Sequence, residues 1–406
     1  CIWDASLYNK RRGVAQTLYY NGGYSQGGDF GLMSYGATLD SLRKEGNFRS
    51  IPAADTDAGV VNLSLNDYLG LAARTNLQER FFADEANRRI AMTASAARLL
   101  ASDQNEYARL ESYISSLYAG RPALLFNSGY HANTGLISAL ASEGGTLIVA
   151  DKLIHASAID GIMLSKAPFK RFLHNDFNRL ESILRKEHDA YERIIVIVES
   201  VYSMDGDRTD LDALVELKRR YPNVLLYIDE AHSFGALGYR GLGLSRWHEG
   251  FEEIDVVMCT LGKACASAGA FAVLSPELRD YAVNRSRSFI FSTAIAPLTA
   301  AWSRYMIECL TGMDAERAHL QRLSRRLAEG VGVAEPRYIM PCLTGGAEAA
   351  LRLSARLLER GYKVLPIRTP TVPPGTERLR VSLSAALTEA QIKGFTDTLR
   401  ECAAHF

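Results

Sequence analysis

The chain of 406 residues carries 46 basic and 46 acidic side chains, 47% hydrophobic residues and 9% aromatics, which excludes disordered, collagen-like and supercharged classes. At roughly 150 residues per domain the length predicts about two to three domains, with a core that needs no disulfide staples. The zero formal charge argues against a dedicated nucleic-acid surface, and no apolar run approaches the roughly 18 to 20 residues of a membrane helix.

Residues 1–32 hold a glycine-rich, charge-poor stretch without the apolar core of a secretory signal, and read as a flexible extension before Met33, a natural start. The expected organisation is an N-terminal arm over 33–75, a large α/β domain over 76–300 and a smaller C-terminal α/β domain over 301–406. The first clear helix covers 104–118: Tyr107, Leu110, Ile114 and Leu117 share a face, Asp103 and Glu106 make a candidate capping box, and Gly120 stops it. Short apolar runs follow at 123–126, 146–149, 194–198, 224–228 and 256–259, each too short for a helix. Alternating with helical stretches, they predict βα units on a mostly parallel sheet flanked by helices.

Each predicted strand ends beside chemistry: Ser128, Gly129 and Tyr130 after the first, His155 after the second, Ser203 after the third, Asp229 and His232 after the fourth, Thr260 and Lys263 after the fifth. In open α/β sheets ligands bind outside the carboxyl ends of the strands, so these residues should converge on one crevice. Beyond residue 300 come long helices, a proline-rich connection over 366–374 and a strand over 379–383. A last helix begins at Thr388 with Gln391 as its capping partner and turns Ile392, Phe395 and Leu399 inward.

Asp229-Glu230-Ala231-His232 would suit a DEAH-type NTPase only with a phosphate loop, and Gly262-Lys263 is followed by Ala264 without the required upstream glycine. G-x-G-x-x-G, G-x-S-x-G and H-E-x-x-H are also absent, which removes the simplest support for hydride transfer, esterase and metalloprotease chemistry. The six cysteines, at 1, 259, 265, 309, 342 and 402, form no C-x-x-C pair; they suit free thiols in a reducing compartment such as the cytoplasm, with no metal site. What remains is Lys263 in a small-residue loop, Asp229 at a strand end, His155 and His232, and the hydroxyls of Ser203, Thr260, Ser292 and Thr293. Pyridoxal 5'-phosphate (PLP) asks for such a set: a lysine for its aldehyde, a carboxylate for its ring nitrogen, hydroxyls and helix N-terminal amides for its phosphate. Singly, each has a commonplace reading, the lysine as a solvated charge, the histidines as structural groups and the hydroxyls as caps.

Order and spacing add a resemblance. The stretches are Asn66-Asp67-Tyr68-Leu69-Gly70-Leu71, Asn127-Ser128-Gly129-Tyr130-His131-Ala132-Asn133, Asp151-Lys152-Leu153-Ile154-His155-Ala156-Ser157 and Glu199-Ser200-Val201-Tyr202-Ser203-Met204-Asp205-Gly206-Asp207. Asp229-Glu230-Ala231-His232-Ser233, Thr260-Leu261-Gly262-Lys263, Ser292-Thr293 and Arg378-Leu379-Arg380-Val381 complete them. Together they resemble the α-oxoamine synthases, fold-type I PLP enzymes that join an amino acid to an acyl thioester with loss of carbon dioxide.

The resemblance implies that Lys263 binds the cofactor's aldehyde and serves as the base, that Asp229 pairs with the ring nitrogen and that His155 stacks on the ring. It places Ser203 and His232 at the ring-oxygen side, and Ser128, Gly129, Tyr130 and Thr260 around the cofactor and its phosphate. It implies a homodimer with interface sites, in which Ser292 and Thr293 reach the partner's phosphate, and gives the amino-acid carboxylate to Arg380 with Asn66 beside it. Pro370-Thr371-Val372-Pro373-Pro374-Gly375-Thr376 is similar to members that join L-alanine to a pimeloyl thioester in biotin biosynthesis, with Thr371 as a substrate contact. Gly46-Asn47-Phe48-Arg49 resembles a segment whose arginine meets the acyl group, so Arg49 reads either the distal carboxylate or plain solvent. The acyl carrier is coenzyme A or acyl carrier protein. Glycine- and serine-using members stand as alternatives, as does a noncatalytic binding subunit. The sequence departs from the family pattern at Ser95-Ala96-Ala97-Arg98-Leu99-Leu100-Ala101, where a glycine- and serine-rich run is usual, and at Leu387, where a histidine is usual.

Overall fold

The computed structural model describes residues 35–51 and 59–403, so the extension over 1–32 and Met33 lie outside the described residues. The chain divides into two units, Cys1–Ser50 and Ile51–Phe406. In the first, the helix Tyr35–Lys44 pairs Arg43 with Asp40 at 2.8 Å and lays the same guanidinium over Phe48 at 4.4 Å; Arg49 follows directly.

The second unit opens with a short strand, β1 (Val61–Asn62), and is built on seven strands: β2 (Ala123–Phe126), β3 (Thr146–Asp151), β4 (Phe169–Phe172), β5 (Arg193–Glu199), β6 (Val224–Asp229), β7 (Val256–Thr260) and β8 (Ala270–Leu274). Their order across the sheet is β2-β8-β7-β6-β5-β3-β4. Strands β3 to β7 run parallel, whereas β8 is antiparallel to both β2 and β7. Every residue of β3 and β6 is buried, as expected of central parallel strands covered on both faces. Leu147, Val149, Val196, Ile228 and Val257 enter the core that also takes Tyr107, Leu110 and Ile114 from the helix Asn105–Leu117. Their alternates Ile148, Ala150, Ile195, Ile197 and Met258 pack with residues of the helices Gly129–Leu140 and Ala156–Ser165.

All five predicted strands form, each within two residues of its expected ends. Two more were not anticipated. Edge strand β4 reads Phe-Lys-Arg-Phe, and its central charges, which suit an edge, hide it from an apolar count. Strand β8 follows a loop of small residues, and its Ala-Phe-Ala start carries little β preference. Its reversal has a geometric cause: the link from β7 covers only residues 261–269, shorter than the dozen or so residues a parallel crossover needs.

The helix Asn105–Leu117 buries the four apolar residues expected of it, and Gly120, at φ +80°, closes it by donating to the Ser115 carbonyl at 2.9 Å. The expected capping box does not form. Gln104 occupies the cap position with helical backbone and makes no side-chain cap bond. Asp103, one residue too early, accepts the Asn105 amide at 2.9 Å, and Glu106 turns to Arg109 at 2.7 Å. At the other end the capping box does form: Thr388 Oγ1 accepts the Gln391 amide at 3.2 Å and Gln391 Oε1 accepts the Thr388 amide at 2.8 Å. The helix it opens, Glu389–Ala403, buries Ile392, Phe395 and Leu399.

Strands β9 (Ile339–Leu343), β10 (Tyr362–Lys363), β11 (Leu365–Ile367) and β12 (Arg378–Ser382) complete the fold. A small antiparallel sheet runs β11-β12-β9, and β10 pairs with β1, so residues near 61 join the C-terminal region. Among the described residues no helix is long and apolar enough to cross a membrane.

Candidate active site

Asp151, Glu199, Asp229 and Thr260 are the last residues of β3, β5, β6 and β7, so the parallel sheet sets them along one edge. Beyond that edge lies a cleft of about 140 Å³, whose lining includes Gly129, Tyr130, His155, Asp229, His232, Thr260 and Lys263. Of the strand-end residues expected from the sequence, these seven line the cleft, whereas Ser128 and Ser203 lie outside its lining.

Asp229 is buried and oriented through both oxygens: Oδ1 accepts the Ala231 amide at 2.9 Å and Oδ2 accepts Asn133 Nδ2 at 2.8 Å. Asn133 is itself fixed, because Tyr227 Oη donates to its Oδ1 at 2.7 Å. His155 Nδ1 accepts the Ser157 amide at 3.2 Å, which assigns the ring hydrogen of the neutral imidazole to Nε2. Burial lowers the His155 pKa below its ordinary value, with Lys263 adding to the effect against the attraction of Asp229, so the neutral form prevails at pH 7.

Lys263 Nζ lies 2.7 Å from His232 Nε2, and His232 Nδ1 lies 2.6 Å from the Tyr68 hydroxyl. Burial brings Lys263 down to about 8 against the pull of Asp229 and Glu199, with Arg380 assisting the decrease. His232 is pushed well below its ordinary value by burial and by the neighbouring Lys263 and Arg380 charges. Arg380 donates from Nη2 to Asn66 Oδ1 at 3.0 Å and from Nε to the Ser203 carbonyl at 2.6 Å, while the Ser203 amide donates to Glu199 Oε2 at 3.2 Å. The loop carrying Ser203 is pinned at Gly206 (φ +68°), where a Cβ would stand 1.9 Å from the Ile339 carbonyl oxygen.

A charged clamp holds the two loops that bring His155 and Ser203. His174 lies 3.1 Å from Asp151 through Nδ1 and 2.6 Å from Asp207 through Nε2. Burial disfavours its charge, but the hydrogen bonds and charges of both carboxylates win and lift its pKa to about 10. A histidine raised on folding stabilises fully below its unfolded pKa of about 6.5, and that contribution is lost as the pH rises through about 10. We expect the melting temperature of the wild type to fall relative to that of His174→Asn between pH 6.5 and 10.5; a gap that stays constant would show that the clamp is uncharged.

Tyr130 lines the cleft while half exposed, and the remaining anticipated residues lie outside its lining. Ser128 caps the helix Gly129–Leu140, its Oγ accepting the His131 amide at 3.2 Å, and the exposed Tyr130 donates to Asp160. Ser292 lines a separate small cavity with Asn127 and Arg98, and the Thr293 carbonyl accepts Asn127 Nδ2 at 2.5 Å; neither lines the Lys263 cleft. Thr371 is exposed and outside that lining, and Arg49 belongs to the first unit. At the two departures from the family pattern, Arg98 pairs with Glu111 at 3.0 Å and covers the Tyr107 ring at 4.5 Å, while the buried Leu387 offers its carbonyl to His319 Nε2 at 2.8 Å. Tyr68, Asn133, Ser157 and Glu199 were not singled out as site residues, although all four lie inside the quoted stretches. Their polar groups are buried beside the cleft, a signal that only three-dimensional packing exposes.

The site fits PLP. Lys263 offers an amine, Asp229 a carboxylate oriented by two donors, and the helix Gly129–Leu140 its first amides, at Gly129 and Tyr130, ahead of the His131 amide that Ser128 caps. A Cβ on Gly129 would point at Thr260 and Met258, 3.6 to 3.8 Å away, and so occupy the cradle that the glycine leaves clear between lining residues. Among the described residues no group of His, Cys, Asp and Glu could hold a metal ion.

The family model for aminotransferase class I and II matches residues 58–399. The putative 8-amino-7-oxononanoate synthase of Pasteurella multocida (strain Pm70) is 44% identical over 383 residues, covering 91% of this chain and 99% of the relative. The crystal structure of 8-amino-7-oxononanoate synthase from Francisella tularensis superposes with a TM-score of 0.71 at 27% identity, covering 86% of this chain and 99% of the other. A solved structure of SPT with PLP gives a TM-score of 0.79 at 26% identity, covering 85% and 88%. The chain belongs to the aminotransferase class I and II family and, within it, to the α-oxoamine synthases. It is thus a PLP-dependent C-acyltransferase of fold type I.

Proposed function

We propose that the enzyme condenses L-alanine with a pimeloyl thioester to give 8-amino-7-oxononanoate, carbon dioxide and the free thiol. The observation that carries this reading is the junction of a carboxylate-binding pair, Arg380 with Asn66 at 3.0 Å, to the amine of Lys263 through Tyr68 and His232. An α-amino acid needs both ends: a cation for its carboxylate and a base near its α-carbon. The curated relatives are named for the product 8-amino-7-oxononanoate, which supports the choice of a pimeloyl thioester as acyl partner.

When bound, PLP supplies a carbonyl for the amino group and an electron sink for the α-carbon. Arg380 and Asn66 hold the substrate carboxylate, and Lys263 takes the α-proton. Asp229 keeps a proton on the ring nitrogen, and the fixed orientation of its two oxygens makes it a ready partner. The α-carbon bonds to the thioester carbonyl carbon, the C–S bond breaks and the thiolate departs, taking a proton from solvent. Carbon dioxide then leaves from the same α-carbon, and Lys263 returns the proton there. His155, with its hydrogen on Nε2, donates to an oxygen of the reacting acyl or carboxylate group.

Arg380→Lys keeps the charge but loses the planar fork. It should raise the KM for L-alanine roughly tenfold or more while PLP content is unchanged; steady-state kinetics with unaltered KM would remove Arg380 from the carboxylate site. We also assign Ser292 and Thr293 to the partner's phosphate in a homodimer, since neither lines the Lys263 cleft. Sedimentation of the holoenzyme as a monomer would refute that assignment.

Absorption titration of the PLP-loaded protein with L-alanine, glycine and L-serine, followed by product analysis with pimeloyl-CoA, tests the whole reading. A response to L-alanine and formation of the amino ketone are expected. A response to glycine or serine alone would leave the family in place and overturn the substrate.

A further inference from the structure

Tyr68 stands where the two halves of the polar network meet. Its side chain is fully buried and packed edge-on against Tyr338 at 4.9 Å between ring centroids, so its hydroxyl is held in place. That hydroxyl has one hydrogen and two candidate acceptors, His232 Nδ1 at 2.6 Å and Asn66 Oδ1 at 3.0 Å. The Asn66 atom is an oxygen, because Arg380 Nη2, which can only donate, bonds to it at 3.0 Å. Tyr68 itself stays protonated, since burial lifts its pKa to about 12. His232 is neutral and likewise carries a single ring hydrogen.

Two arrangements of these hydrogens are available. In the first, Tyr68 donates to Asn66, His232 donates from Nδ1 to the Tyr68 oxygen, and His232 Nε2 accepts a hydrogen from Lys263. In the second, Tyr68 donates to His232 Nδ1, the ring hydrogen sits on Nε2, and only an unprotonated Lys263 amine can accept it. The first arrangement accommodates the lysine ammonium and the second requires the free amine. A carboxylate bound to Arg380 draws the guanidinium donors away from Asn66. Tyr68 is then the remaining donor to Asn66 Oδ1 in this network, which favours the first arrangement.

We propose that Tyr68 is a positioning residue that couples carboxylate binding at Arg380 and Asn66 to the proton affinity of Lys263, by way of the His232 tautomer. Seating the amino acid then makes Lys263 a stronger base when an α-proton is to be removed. The inference rests on the roles of Lys263 and Arg380 in the proposed function. Direct attraction between a bound carboxylate and Lys263 acts in the same direction, so the test must isolate the hydroxyl.

The rate at which the apoenzyme captures PLP, followed by the absorbance of the lysine-bound cofactor, requires the free amine of Lys263, so its pH midpoint reports that group. The probe is propionate, a carboxylate without an amino group. Saturating propionate should raise the midpoint of the wild type by about half a unit or more, roughly a threefold change in proton affinity. In Tyr68→Phe, which should still capture PLP, less than half of that shift should remain. Asn66→Ala cuts the network on the Arg380 side, leaves the Tyr68–His232 contact, and should lose the shift even when protection of the apoenzyme against thermal melting shows propionate bound at saturation; it serves if Tyr68→Phe does not fold. An undiminished shift in a folded variant, or no shift in the wild type, overturns the coupling. Failure of the wild type to capture PLP on Lys263 is a different result, which removes the reading of the site and this proposal with it.

Discussion

Lys263→Ala is expected to abolish turnover of L-alanine and to remove the absorbance of the lysine-bound cofactor. Lys263 is the one amine among the residues lining the cleft, and it sits 2.7 Å from a neutral imidazole rather than in an ion pair that would lock its proton. With its pKa near 8, a useful fraction is free amine at neutral to mildly alkaline pH. The substitution removes both the covalent anchor and the base, and the base alone contributes about 10²- to 10⁴-fold in such reactions. A loss of roughly 10⁴-fold or more in kcat is therefore anticipated, measured by product formation from L-alanine and pimeloyl-CoA. Variant enzyme that still turns over alanine at a comparable rate would show that another group is the base.

Asp229→Asn should lose roughly 10²- to 10³-fold in kcat while the protein still captures PLP on Lys263. The substitution preserves shape next to Asn133 and the Ala231 amide, so folding should survive, but it removes the negative charge that keeps a proton on the ring nitrogen. Kinetics, the cofactor spectrum and thermal melting of the same preparation separate these effects. Near-normal turnover with normal melting would sink the electron-sink role of Asp229.

Both expectations depend on residues that local patterns could single out. Asp229 ends a run of apolar residues, and Lys263 follows a second such run after three residues. Strand ends in an α/β sheet are where such chemistry gathers. The Thr388 and Gln391 cap was equally legible, because its two hydrogen bonds span three residues. The capping box at Asp103 and Glu106 was misread because the residue types matched while the helix began one residue later than such a box requires. Strand β4 escaped notice because an edge strand needs charges where a central strand has none.

By itself the sequence marked five of the sheet's strands and, within two residues, where they end, though not the buried β8, and it set a lysine, an aspartate and two histidines toward one crevice. The reason is that burial periodicity and strand length are local properties of the chain. Tertiary structure alone decided which polar groups meet. Tyr68 reaches His232 across 164 positions and Asn66 reaches Arg380 across 314. No periodicity of either segment encodes the other, since the pairing arises when β1 joins β10 and the C-terminal sheet closes beside the strand ends. The protonation states followed from the same packing: burial lowers Lys263 and His232, the carboxylates of Asp151 and Asp207 raise His174 against its burial, and neither effect acts until distant segments are brought together.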